Sequence, residues 1–155
     1  MDGEAAAKAL NASRMNNSEV DMSEPAIGAA WAQCVSSEAA VLSWIALGYD
    51  GKKKLKLLGT GTGGYANLMP HLANDQVVYG AFKVLADGAA KLVFVASIGE
   101  DAGGMIKGRA TAHTQSVENA LEGTTIGIQV ADASEKDPAA ITAKLTQALK
   151  ATVTL

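Results

Sequence analysis

The chain is poor in the residues that metal and nucleophile chemistry require. Cys34 is its only cysteine, so no internal disulfide can form, and a reducing compartment, the cytoplasm, is the expected location. A catalytic thiol wants a histidine partner. His71 and His113 are the only histidines, and neither lies near Cys34 in sequence. With one cysteine and no clustered carboxylates they make no metal-ligand set. Charge of one sign is also scarce. Lys and Arg number 13 against 16 Asp and Glu, a formal net charge of -3, so the basic body typical of nucleic-acid binders is missing and any acidic partner must be met by a local patch. No apolar run approaches the ~20 residues of a membrane span. The alanine-rich polar start lacks the apolar centre of a signal peptide. Neither a G-x-S-x-G elbow nor a phosphate-binding loop with its lysine occurs. These absences argue against an enzyme, a cofactor, a bound metal, a nucleic-acid partner and a membrane partner.

What is present is a globular core. Hydrophobic residues make up 48% of 155, enough for one domain with a real interior. Residues 1–22 carry Asn, Ser, Ala and charges with little apolar periodicity, and read as a flexible N-terminal extension to a single domain over 23–155. Ser23-Glu24-Pro25 reads as a helix start, with Ser23 as cap and Pro25 in the first turn. Ile27, Ala30, Trp31, Cys34 and Val35 then share one face, which gives Cys34 a packing role. Val41–Leu47 reads as an apolar strand, Tyr49-Asp50-Gly51 as a hairpin turn, and Lys54–Leu58 as the partner strand. Lys52, Lys53, Lys54 and Lys56 are expected to solubilise that hairpin edge and deter edge-to-edge pairing. A second binding patch or a nuclear import signal is the alternative.

The second half is organised around 91–121. Leu92–Ile98 reads as a strand buried on both faces, after a hairpin that joins it to Val77–Leu85 through Asp87-Gly88. A glycine-rich loop follows over 99–104, in which Glu100 and Asp101 are turn formers. Lys107 and Arg109 come next, and a helix carries Ala110, His113, Val117, Ala120 and Leu121 on one face, with Gly123 as its stop. His113 is expected to be a half-buried packing residue. Thr124–Val130 reads as a fifth strand, and a strand–helix–strand crossover favours parallel pairing with the fourth. Asp137-Pro138 starts a last helix with Ile141, Leu145, Ala148 and Leu149 as its apolar face. The expected class is α/β (α+β), a central five-stranded mixed β-sheet flanked by helices on both faces. Gly59-Thr60-Gly61-Thr62-Gly63-Gly64 matches G-x-G-x-x-G literally, and a nucleotide-binding enzyme using that loop is a remote alternative. The preceding antiparallel hairpin and Pro70 in the next helix oppose it, and a flexible loop is the plainer account.

The order of elements and several strings resemble the actin-depolymerising-factor homology domain, and within it the coactosin-like branch. The strings are Trp44 with Tyr49-Asp50-Gly51, Tyr65 after the glycine loop, Lys91 before the core strand, Ile98-Gly99-Glu100 closing it, and Met105-Ile106-Lys107-Gly108-Arg109. The likeness runs from about Ala26 to Val130. It implies that family's mixed sheet between helix pairs, and actin binding without catalysis. Filamentous actin is the partner implied for a coactosin. Monomer binding with filament severing, as in depolymerising factors, is the alternative. The resemblance carries Lys91 over as a filament-binding lysine and Lys107 and Arg109 as the basic pair at the start of the long helix. Met105 and Ile106 add apolar contact. A monomeric protein is expected. Two departures stand out: Ser97 replaces the family's tryptophan, and Gly88-Ala89-Ala90 replaces a basic cluster. They point to a contact that is weakened or moved toward residues 52–56.

Overall fold

A computed structural model describes residues 20–155. Its elements in chain order are α1 (Pro25–Ser36), β1 (Trp44–Tyr49), β2 (Leu55–Gly61), α2 (Tyr65–Leu68) with a 3-10 turn (Met69–His71), β3 (Val77–Ala86), β4 (Ala89–Ile98), α3 (Gly104–Ala120), β5 (Ile126–Val130), α4 (Ala133–Lys136), α5 (Pro138–Leu149) and β6 (Val153–Thr154). The sheet order is β2-β1-β3-β4-β5. Among these strands only β4 and β5 pair in parallel, as a helical crossover demands. The five expected strands are present, and a short sixth, β6, adds to the end of β3 opposite Leu85 and Ala86.

The sheet separates two cores. On one face α1 and α3 pack Ile27, Trp31, Cys34, Ala110, Val117 and Leu121 against Ile45, Tyr79, Phe94 and Ala96. On the other, α2 and α5 pack Tyr65, Leu68, Ile141 and Leu145 against Ala46, Phe82, Val93 and Val95. β3 and β4 lie in the middle and are covered on both sides, which is why their sequences read as near-continuous apolar runs. The β3–β4 hairpin, built of two ten-residue strands, closes through Asp87 and Gly88, both with positive φ (49° and 81°), the geometry that matches strand twist in a two-residue turn.

Several expectations need correction. The first strand runs from Trp44 to Tyr49, not from Val41, because Val41 and Ser43 are held in turns by the Glu38 and Val41 carbonyls. Tyr49 is therefore strand, and the reversal falls on Asp50 to Lys54, where the Asp50 amide meets the Lys54 carbonyl at 2.8 Å. The glycine stretch is not a free loop. Gly59, Thr60 and Gly61 pair antiparallel with Ala46, Ile45 and Trp44, which leaves no parallel strand-to-helix turn for a pyrophosphate. α1 has Glu24 rather than Ser23 at its cap, and the Glu24 carboxylate instead accepts the Leu57 amide at 3.0 Å. α3 begins at Gly104, six residues before the apolar stripe at Ala110. In α5, Ala148 is exposed and only Ile141 and Leu145 are buried.

The boundary of the expected extension also moves. Val20 and Met22 are buried in the α1–α3 core. Between them, Asp21 pairs with the outer edge of β2, accepting the Leu55 amide and donating to the Lys53 carbonyl. Apolar residues flanking one polar residue are a short strand signal that a low-complexity neighbourhood conceals. The β2 edge is thus protected by pairing as well as by Lys52, Lys53, Lys54 and Lys56, all exposed. The rest of the expected extension, 1–19, lies outside the described residues.

Candidate functional site

The strand β4 delivers the chain into the turn 99–103, and that turn launches α3. The launch is fixed by main-chain bonds. The Gly99 amide donates to the Gln76 carbonyl (3.0 Å), the Asp101 amide to the Asn74 carbonyl (2.9 Å) and the Glu100 amide to the Ala131 carbonyl (3.0 Å). Gly99 is required here, because a methyl in its place would overlap the Asn74 carbonyl and come within 2.8 Å of the Gln76 oxygen. Glu100 and Asp101 are exposed and act through their backbones, as turn formers should.

In α3 the buried stripe is Ala110, His113, Val117 and Ala120, at the i, i+3, i+7 spacing of a core-facing helix. The opposite stripe is exposed: Met105, Gly108 and Ala112. Met105 is 83% exposed and is the one large apolar side chain so presented among the described residues. Small neighbours at 108 and 112 leave room for a partner to approach. Ile106, Lys107 and Arg109 flank this stripe half-buried. The Lys107 ammonium donates to the Glu100 carbonyl, which ties the helix back to its own turn. The first turn of α3 contains no acidic residue, and Gly103 offers no side-chain cap, so the positive end of the helix dipole is left uncompensated.

Below this exposed end, α3 is pinned to the sheet by polar groups. The Tyr79 hydroxyl donates to the Ala110 carbonyl (3.1 Å) and lies 3.0 Å from the Tyr49 hydroxyl. That oxygen lies 2.7 Å from Nδ1 of His113. His113 is only 4% exposed, so it is a hydrogen-bonded core residue rather than the half-buried packing residue expected. Burial pushes the Tyr49 phenol up, and its bond to Tyr79 adds to this against the opposing charge of Arg109. A groove of about 320 Å³ opens beside the pin, between Ile106, Tyr49, Leu58 and Val77, with Lys56 and Asp75 on its rim.

Lys91 is not part of this assembly. It lies at the far end of β4, opposite Val84. The seven residue steps from Lys91 to Ile98 span about 23 Å at strand rise. Lys91 is half-buried and borders a separate groove of about 340 Å³ with Ser37, Leu92, Gly123 and Thr125. The five residues singled out in the sequence therefore form two separate places, Met105, Ile106, Lys107 and Arg109 at one end of the sheet and Lys91 at the other.

A family profile described as cofilin/tropomyosin-type actin-binding protein matches residues 19–146. The chain belongs to this family. The coactosin of Dictyostelium discoideum is 28% identical over 115 residues, covering 71% of this chain and 77% of the relative. Among solved structures, coactosin from Entamoeba histolytica superposes with a TM-score of 0.72 at 19% identity, over 87% of this chain and all of that one. Mouse coactosin, described as an actin filament binding protein, gives 0.65 at 18% identity, over 84% and 92%. The family match begins one residue before Val20, in agreement with the burial of that residue.

Cys34 is buried, and burial pushes its thiol up despite the Ser43 hydroxyl at 3.1 Å and the nearby Lys83 charge. That makes it a poor nucleophile. Among the described residues no group of three or more His, Cys, Asp or Glu is placed to hold a metal ion, and no helix is long and apolar enough to cross a membrane. Sequence reasoning missed two buried lysines, Lys83 and Lys136, each 3% exposed. Lysine is ordinarily a surface residue; Lys83 nevertheless shares the face of β3 that carries Val77, Tyr79 and Ala81, whereas Lys136 lies in a four-residue helix without an apolar stripe.

Proposed function

We propose that this protein binds the sides of actin filaments without catalysis, in the manner of a coactosin, in the cytoplasm. The principal contact is the first two turns of α3, with Met105 and Ile106 as apolar contacts and Arg109 and Lys107 as cations. Lys91, at the other end of the sheet, is a second contact. The observation that carries this reading is the exposed Met105–Gly108–Ala112 stripe beside Arg109, set on a helix that Tyr79, Tyr49 and His113 pin to the core. A methionine is flexible and polarizable, which makes it useful in an interface. A nearby guanidinium gives orientation and on-rate toward an acidic surface. Family membership and the Dictyostelium coactosin relative support the choice of actin.

The test is co-sedimentation with preformed filaments. Wild type is expected in the pellet with total pelleted actin unchanged. Met105→Ala and Arg109→Ala are expected in the supernatant, and Lys91→Ala partly so. Lys107→Ala is expected to lose less, because its ammonium is engaged by the Glu100 carbonyl. Wild-type protein left in the supernatant, with pelleted actin unchanged, would overturn filament binding. A fall in pelleted actin would favour severing or monomer capture.

A further inference from the structure

Lys136 is a buried cation that the proposed contact does not use. It closes the four-residue helix α4, its side chain is almost wholly out of water, and its ammonium donates to the Leu72 carbonyl (2.8 Å) and to Oδ1 of Asn74. Its own carbonyl accepts the Tyr65 hydroxyl at 2.6 Å. Burying an ammonium is costly unless it is well hydrogen-bonded, and a methionine would fill the same space without burying a charge. A reason for the charge lies in what it grips. Both acceptors belong to the irregular segment 72–76, and that segment in turn holds the start of α3. Asn74 accepts the Asp101 amide and Gln76 the Gly99 amide, and Gly99 packs too closely on Asn74 to carry a side chain. Burial lowers the affinity of Lys136 for its proton, while the facing carboxylates Asp132, Glu100, Asp101 and Glu135 oppose that and favour the charged form.

We propose that Lys136 is a positioning residue for the actin contact: its ammonium holds Asn74, Asn74 holds the Asp101 amide, and this chain sets where Met105, Ile106 and Arg109 emerge from the fold. The inference rests on the reading of α3 as the contact. The linkage runs from α4 to α3 through the segment 72–76. Removing the ammonium leaves the sheet and both cores intact and frees the turn 99–103 to shift. Loss of a charged hydrogen bond at this strength corresponds to about tenfold in an equilibrium.

The test uses the full chain with Lys136→Met, Asn74→Ala, both together, and Ile27→Ala, on α1, as a destabilised control. Amide hydrogen exchange is read first, without actin. Exchange at Asp101 is expected to rise about tenfold or more in Lys136→Met, beyond any rise across β1, β3 and β4. An equal rise at all sites, or none at Asp101, would overturn the proposal. Filament co-sedimentation follows. Lys136→Met and Asn74→Ala are each expected to bind about tenfold more weakly, and the pair together no more weakly than either alone, because they interrupt one linkage. Ile27→Ala is expected to bind as wild type while folded. Additive losses, or wild-type binding by Asn74→Ala, would overturn the linkage. Wild type that fails to pellet would instead overturn filament binding, and with it the purpose of the clamp, while the exchange result still decides whether the clamp exists. If Lys136→Met does not fold, Asn74→Ala alone decides both readouts, since Asn74 is a half-buried loop residue.

Discussion

Gly108 lies in the second turn of α3, exposed, and a methyl built on it meets no atom within 4 Å. Its backbone is helical and its φ is not among the positive values. In that setting glycine costs the helix about 1 kcal/mol relative to alanine, through the entropy of the unfolded chain. Gly108→Ala should therefore stabilise the protein by ~1 kcal/mol, which raises the urea midpoint by about 0.5 M and Tm by about 3 °C. Trp31 and Trp44 are both buried, one in each core, so fluorescence reports both faces of the sheet and their coincidence checks two-state behaviour. The same substitution should weaken filament binding, by about fivefold for ~1 kcal/mol of steric loss, because Gly108 shares the exposed stripe with Met105. A protein that becomes more stable and binds less well is hard to explain unless position 108 faces the partner. Gly99→Ala provides the contrast nine residues earlier. There the methyl would strike the Asn74 backbone, and the fold should lose ~2–4 kcal/mol from strain and the displaced Asp101 bond. Destabilisation by Gly108→Ala would refute the helical account of this turn. Stabilisation with unchanged binding would remove the second turn from the contact.

Three further outcomes are expected. Ser97 is fully buried and its hydroxyl is the one buried side-chain polar atom without a hydrogen-bond partner among the described residues. Ser97→Ala should be neutral or stabilising by up to ~1 kcal/mol in urea melts, and a loss above that would reveal a hidden partner. All three tyrosines, Tyr49, Tyr65 and Tyr79, have phenols raised above the ordinary value of 10.0, chiefly by burial. Their contribution to stability is complete below pH 10 and is lost as pH rises above it, because the unfolded chain then ionises while the folded chain does not. Tyrosinate absorbance should appear only together with unfolding, and an earlier rise in the native protein would contradict their burial. Filament binding should weaken as salt is raised, since exposed charges are screened over ~8 Å at physiological ionic strength. Binding that is insensitive to salt would mean that Met105 and Ile106 carry the contact and Arg109 does not.

The sequence by itself determined the layer architecture. Period-two and near-continuous apolar runs marked β3, β4 and β5, Asp87-Gly88 marked the tight hairpin, and the crossover rule fixed β4 and β5 as parallel neighbours. Those signals are local, and a chain of this composition has few other ways to bury them. Local signals also placed Met105 to Arg109 after a core strand. They failed where a residue's environment is made by distant segments. The glycines at 59–61 look like a loop until β1 pairs with them. Val20 and Met22 look like an extension until the β2 edge and the α1–α3 core receive them. Lys91 and Arg109 fall in one stretch of sequence, yet a fully extended strand separates them, so the tertiary structure puts them at opposite ends of the sheet. His113 fell on the apolar face of its helix, but its partner and those of Lys136 carried no readable signal, because a buried polar group is tolerated only where partners from other elements satisfy it. Tyr49 satisfies one, Leu72 and Asn74 the other, and the chain brings those partners from about 60 residues away.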